Sequence, residues 1–391
     1  MSNRLKSVVS NDLCIGCGLC TNELVQNPRG KLIPTSFRTD VEEIEQFCPG
    51  VSQVNHNQWN RTTEKFGSIL KAYESYSTDK VIREKGSSGG TITAILVSLL
   101  EQNLVDGVYG LCNTHGVSYE GRIISSAAKI VANAGSKYCP SPTLLRAEEI
   151  EEYQGRLAIV AKPCEINAIK SMLECKGKKD EHFYISFFCA GLPNYSGTLT
   201  LVNDLGGHIS STEDILSVNY RGGGWPGKFI AKTMTGTYEA SYEKSWGEYL
   251  NQTLPLICKI CPDGIGMSAD IVCADYWETD KSGYPVFDDK PGKSLLIVRT
   301  ENGKRVADKV IENNDIGVMP LGIDLESSLE KVQPLQSTRR STFKYRRIAL
   351  NLKGISSPQL KGFSYGGTIG LKEKLRAFVG MYLRVDKHVK N

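Results

Sequence analysis

Three cysteines at two-residue spacing, Cys14-Ile-Gly-Cys17-Gly-Leu-Cys20, constrain this chain more than any other stretch of it. Spacers this short force a tight loop whose sulfurs converge and whose backbone N–H groups face whatever lies between them. A [4Fe–4S] cube is bound in this way. Gly16 and Gly18 suit such a loop, which needs backbone angles that side chains disfavour. The run does not close with the C-x3-C-P of bacterial ferredoxins: Asn22-Glu23-Leu24 follows, and the next Cys-Pro is Cys48-Pro49. Cys48 is therefore the expected fourth ligand, brought back by a long loop. The competing reading is zinc, which usually joins one C-x2-C to a second or to histidines.

The chain has 12 cysteines in all. Its start, MSNRLKSVVSNDLC, has no apolar core or small-residue cleavage site of a signal peptide. The longest apolar run, residues 91–100, is too short for a bilayer, which takes about 20 residues. A cytoplasmic protein is expected, and in that compartment cysteines serve metals or catalysis rather than disulfides. With 40% hydrophobic and 23% charged residues the composition is that of an ordinary globular protein. The net charge of +4 conceals a basic tail, since residues 339–391 hold thirteen Lys or Arg against Glu373 and Asp386.

Four stretches are expected. Residues 1–60 form a small ferredoxin-like, cysteine-rich domain. Residues 61–150 and 151–335 form two parts of an α/β region with a parallel or mixed sheet, because apolar strands (105–111, 157–161, 183–188, 294–299) alternate with helices (91–102, 166–175, 305–313). Glu301-Asn302-Gly303 reads as a turn. Residues 336–391 are the basic tail, ending in an amphipathic helix with Leu371, Leu375, Phe378, Val379 and Tyr382 on one face. Its plain reading is a solvated face packed on its own domain. An acidic partner or an anionic membrane surface is the sharper alternative.

Cys164 and Cys189 each follow an apolar strand. If those strands are parallel neighbours, both cysteines emerge at the carboxyl edge, where open α/β sheets bind ligands. Cys258-Lys-Ile-Cys261 adds a C-x2-C, so the four could hold a second cluster. Zinc, or plain burial of small hydrophobes, competes. Gly86-Ser87-Ser88-Gly89-Gly90 opens the helix from Thr91, where exposed N–H groups and the helix dipole suit a phosphate. A simple capping loop is the alternative. Ser136-Lys137-Tyr138 could add a cation and a ring to the same place.

Together these segments, with Arg221-Gly-Gly-Gly-Trp-Pro-Gly227, Cys258-x-x-Cys261-Pro-Asp263, Ser268-Ala-Asp270 and Asp275-Tyr-Trp277, resemble the beta subunit family of coenzyme F420-reducing hydrogenase and dehydrogenase. The plant hydroxymethyl-chlorophyll reductase is similar. The resemblance covers residues 10–335. It implies FAD on an α/β fold, with residues 86–90 and 136–138 near the flavin. It also implies a cluster on Cys164, Cys189, Cys258 and Cys261, with a further N-terminal cluster in many members. Lys162 stands where small or apolar residues are common before Pro-Cys, and Cys273-Ala274 where Gly precedes the Asp. Coenzyme F420 is thus one candidate substrate among small organic molecules.

The expected activity is an iron–sulfur flavoprotein oxidoreductase exchanging electrons with ferredoxin or another redox protein. An electron-transfer subunit without substrate chemistry of its own is the alternative, and a zinc-stabilised structural protein stands behind both. Lys137, Asp270 and Asp275 are the candidate proton donors. No motif supports nucleic-acid binding.

Overall fold

The computed structural model describes residues 3–57, 62–63, 65–280, 286, 288–322, 324–363 and 368–389. Strands of four to nine residues build its centre, an eight-stranded mixed sheet. The strands are β1 (Lys71–Ser77), β2 (Gly107–His115), β3 (Ser118–Ile124), β4 (Leu157–Val160), β5 (Phe183–Phe187), β6 (Ile271–Asp275), β7 (Ser294–Val298) and β8 (Ile316–Pro320). Their spatial order is β8-β1-β7-β6-β5-β4-β2-β3. β2, β4, β5 and β6 run parallel, with Leu157 opposite Gly107, Phe183 opposite Ala158 and Ile271 opposite Ile185. The other pairs are antiparallel. β1 is two antiparallel steps from β6 and so points the same way.

Alternation along the central strands sends side chains to two cores. Ile271, Cys273, Leu296 and Val298 face one side, which α1 (Thr91–Glu101) and α4 (Glu301–Glu312) cover. Val272, Ala274, Leu295 and Ile297 face the other. On that second side α2 (Pro163–Cys175), the crossover from β4 to β5, buries Ile166, Ile169 and Leu173. α3 (Tyr195–Asp204) packs under a three-stranded sheet of residues 215–219, 228–233 and 237–241. The expected turn at residues 301–303 is instead the first turn of α4. The Thr300 hydroxyl accepts the Gly303 N–H at 3.0 Å and so starts the helix four residues early.

The basic tail is woven into the N-terminal region. α5 (Pro334–Leu352) and α6 (Leu371–Val389) lie against each other, and residues 359–361 pair in parallel with Ser52–Val54. The expected single apolar face of α6 is divided. Phe378 packs inward with Met381 and Val385, whereas Leu371, Leu375, Val379 and Tyr382 are exposed.

His56 ties the N-terminal region to α2, its Nε2 lying 3.0 Å from the Ser171 hydroxyl and its Nδ1 3.3 Å from Glu174. Burial, aided by the nearby Lys170 ammonium, pushes its imidazole down to about 4. An unfolded histidine takes its proton near 6.5, so between these values only the unfolded chain is protonated. Stability is therefore complete above about pH 6.5 and falls as the pH drops towards 4. The melting temperature of the parent protein is expected to fall across that window and that of His56→Gln to fall less; parallel curves would contradict this.

Candidate functional site

The parallel strands decide where the chemistry gathers. Cys164 follows β4, Cys189 follows β5, Asp275 ends β6, and the Gly86–Gly90 loop lies beyond β1, so all of them sit at one carboxyl edge. Cys164 is the second residue of α2. The Cys189 N–H donates to the Gly264 carbonyl at 2.8 Å, which joins its loop to the Cys258–Cys261 segment. Burial pushes the thiol of Cys189 up to about 11 and that of Cys261 up to about 12, and it raises Cys164 and Cys258 as well. Neighbouring sulfurs add to the effect: Cys261 and Cys189 act on Cys164, and Cys258 acts on Cys189.

The N-terminal four behave alike. Burial raises Cys14, Cys17, Cys20 and Cys48, and mutual repulsion follows, with Cys48 acting on Cys17 and Cys14 acting on Cys20 and Cys48. Gly16 and Gly18 take φ of +63° and +93°, and a side chain on either would strike Leu32 or Leu145 backbone within 3 Å. The loop is thus closed down on its own surroundings. Among the described residues, no three Cys, His, Asp or Glu side chains converge on a single-ion site.

The two sets are neighbours. Glu165, fully buried, acts on both Cys17 and Cys164. Lys31 and Asp12, ion-paired at 2.5 Å, act on both Cys14 and Cys258. Glu165 is itself paired with Lys162 at 2.8 Å, and that ammonium also reaches the Thr143 hydroxyl at 3.2 Å. Helix α5 adds a cationic clasp: Arg339 donates to the carbonyls of Cys189, at 3.1 Å, and of Cys258, and Gln336 donates to Cys189 at 3.2 Å. Reading along the chain does not reveal Arg339, Gln336 or Lys31, because their partners are 19 to 150 residues away. The adjacent Arg339-Arg340, with Arg340 buried and donating to the Pro262 carbonyl at 2.6 Å, is the signal that would have found the clasp.

Three glycine turns meet beside the second set. The Ser87 hydroxyl donates to the Arg221 carbonyl at 2.9 Å and accepts the Ser136 N–H at 2.7 Å. Ser88 donates to the Lys293 carbonyl at 2.7 Å. Gly90 starts α1 with φ +74°, and a Cβ on Gly89 would lie 2.7 Å from the Ser75 carbonyl oxygen and 2.8 Å from the Ser294 nitrogen. Both obstacles are backbone, so Gly89→Val is expected to lower stability by about 2 kcal/mol or more, read as a fall in the urea midpoint; an unchanged midpoint would show that the loop can move. Gly223 and Gly224 have open space where side chains would be.

The predicted proton donors are scattered. Lys137 turns back to donate to the carbonyls of Asn133, Ala134 and Gly135, and burial lowers its ammonium to about 8. Tyr138 packs against Trp246 at 4.9 Å and Tyr220 at 6.1 Å. Asp270 precedes β6 and so lies at the opposite edge of the sheet from the cysteines. There it holds a junction, accepting from the Tyr184 N–H at 2.9 Å and the Thr300 hydroxyl at 2.5 Å. Asp275 is at the carboxyl edge, 2.6 Å from the Arg221 guanidinium. Trp225, Tyr242 and Trp277 surround that guanidinium at 4.5 to 5.1 Å, and Arg221 is 1% exposed.

Two family models match this architecture, the N-terminal one over residues 72–146 and the C-terminal one over residues 154–322. Both describe the coenzyme F420 hydrogenase/dehydrogenase beta subunit. The chain belongs to this family. It is 25% identical to the coenzyme F420 hydrogenase subunit beta of Methanococcus voltae, over 73% of this chain and 98% of that one. It is also 25% identical to the coenzyme F420-dependent sulfite reductase of Methanocaldococcus jannaschii, over 86% of this chain but only 51% of the relative. The F420-dependent formate dehydrogenase 1 subunit beta of Methanococcus maripaludis is 24% identical over 66% of this chain and 64% of its own length. A chain of the F420-reducing [NiFe] hydrogenase complex of Methanosarcina barkeri shares the fold, with a TM-score of 0.53 and 19% identity over 76% of this chain and 98% of that one. The N-terminal cysteines, α5 and α6 lie outside both family models.

Proposed function

We propose that this member of the family is an oxidoreductase that passes electrons between a one-electron partner protein and a small organic molecule. It would do so through two [4Fe–4S] clusters and FAD. The observation that carries the reading is the adjacency of two cysteine quartets, each with one buried and three half-buried thiols, one of the two at the ligand-binding edge of the sheet. Thiols crowded this way raise one another's pKa, and a bound polycationic cluster reverses that cost by stabilising the thiolates. Cys14, Cys17, Cys20 and Cys48 would hold the outer cluster, and Cys164, Cys189, Cys258 and Cys261 the inner one. Zinc on the same thiolates is the competing occupant, and metal analysis separates the two.

The junction of the Gly86–Gly90, Gly135–Ser136 and Gly222–Gly224 turns is the proposed flavin cradle, with the start of α1 facing its phosphates. A bound flavin supplies exchange of hydride with an organic molecule and of single electrons with clusters. The protein's own residues hold the geometry: Ser87 ties two of the turns together, Arg339 fixes the Cys189 and Cys258 loops, and Asp275 is the carboxylate nearest the aromatic wall. Coenzyme F420, the substrate in the names of the relatives, is the first molecule to test. Because several relatives are subunits, a chain that only relays electrons to a partner enzyme is the second reading.

Protein purified without oxygen is expected to show a broad band near about 400 nm with flavin shoulders. Reduced F420 is expected to bleach it. A colourless, zinc-containing protein would overturn the proposal. Bleaching by a low-potential one-electron donor but by no organic hydride donor would favour the second reading.

A further inference from the structure

Helix α6 carries an outer face that the fold leaves uncovered. Leu371, Leu375, Val379 and Leu383 recur every four residues and stand 81%, 62%, 42% and 60% exposed. They form one stripe about 18 Å long at 1.5 Å per residue. Each leucine is followed by an exposed cation, Lys372, Arg376 or Arg384, so a basic row runs beside the apolar one. Of the two acids on the helix, Asp386 is paired with Lys353 at 2.7 Å, which leaves Glu373 alone. The opposite face is fully used: Phe378, Met381 and Val385 pack inward, and His388 Nδ1 lies 2.8 Å from Asp12. The outer stripe is therefore left largely uncovered by the fold.

We propose that α6 docks the protein on an anionic lipid bilayer, lying in the interfacial plane with its leucine stripe at the acyl boundary. Exposed leucines beside a row of Lys and Arg are the signature of an interfacial helix, and Lys372, Arg376, Arg384 and Lys387 stand exposed on this helix, which suits anionic headgroups. No helix among the described residues is long and apolar enough to cross a membrane, so contact is peripheral. A second copy fits poorly, because stripe against stripe would set the two basic rows side by side. The attachment is rigid with respect to the cysteines. α6 holds Asp12, two residues before Cys14, and α5, packed along α6, holds the carbonyls of Cys189 and Cys258. The inference stands without the cofactor reading, since it uses only the helix surface.

The test is flotation of the full chain with vesicles of equal parts phosphatidylglycerol and phosphatidylcholine, against pure phosphatidylcholine. Binding to the anionic vesicles is expected to be at least tenfold stronger and to weaken with added salt. Leu371→Glu/Leu375→Glu/Leu383→Glu is expected to lose at least tenfold, and Lys372→Gln/Arg376→Gln/Arg384→Gln to lose the salt-dependent part. Should the glutamate variant not fold, Leu375→Trp provides a second readout, its fluorescence shifting to the blue on anionic vesicles. Failure to float, undiminished binding by the glutamate variant, or an unshifted tryptophan would overturn the proposal. So would a dimer that the glutamate variant dissociates, because a second copy would then be the occupant.

Discussion

Cys17→Ala, purified without oxygen, is expected to retain about half of the parent protein's iron, falling from about eight to about four atoms per chain. Cys164→Ala should lose the other half. Cys17 and Cys164 belong to different quartets, and Glu165 is the charge they share. Loss of one ligand empties its own set and leaves the neighbouring thiols as they were. The two variants should then differ in function. On the proposed reading the Cys17 variant would keep the link between a bound flavin and the inner cluster, so reduced F420 would still bleach it, while exchange with one-electron donors would collapse. The Cys164 variant interrupts the path in the middle. Metal analysis together with absorption decides the matter. If either variant lost all of its iron, or neither lost any, the division into two independent quartets would be wrong.

Arg221→Met is expected to lower stability by about 3 kcal/mol, the low end of the cost of breaking a buried ion pair. In a protein of this size that is a fall of about 4 °C in melting temperature. Arg221 sits at the centre of its cage: Nη1 pairs with Asp275 at 2.6 Å, Nε donates to the Pro226 carbonyl at 2.8 Å, and three rings surround the guanidinium. Methionine preserves much of the volume but leaves the Asp275 carboxylate without its cation. Arg221→Lys should rescue poorly, because an ammonium cannot bond a carboxylate and a carbonyl through a planar fork or stack on a ring. Asp275 is 21% exposed at its side chain, so Asp275→Asn should cost less than the arginine change. A melting temperature for Arg221→Met within about 2 °C of the parent would show that the cage does not hold this edge together.

The sequence exposed those parts of the site that are local along the chain. A C-x2-C-x2-C loop, a cysteine directly after each of two apolar strands, and a glycine loop before a helix are patterns of neighbours, and they placed the carboxyl edge. What it hid depends on distant partners. Arg339 reaches Cys189 across 150 residues, and Arg221 meets Asp275 across 54. Asp270 and Asp275 look alike in sequence, yet one strand of five residues carries them to opposite edges of the sheet. Lys137 was placed in the right neighbourhood, but its ammonium is spent on three carbonyls of its own turn. The apolar periodicity of α6 was legible, though periodicity cannot tell a face that packs from one that is left bare.

The pairing of residues 359–361 with Ser52–Val54, and of His388 with Asp12, also bears on the order of assembly. The ribosome makes Cys14, Cys17, Cys20 and Cys48 first, yet the residues that close over them are among the last made. During synthesis the N-terminal segment gains these partners only after more than three hundred further residues have been made. The N-terminal region therefore reaches its final packing only when the C-terminal arm is complete.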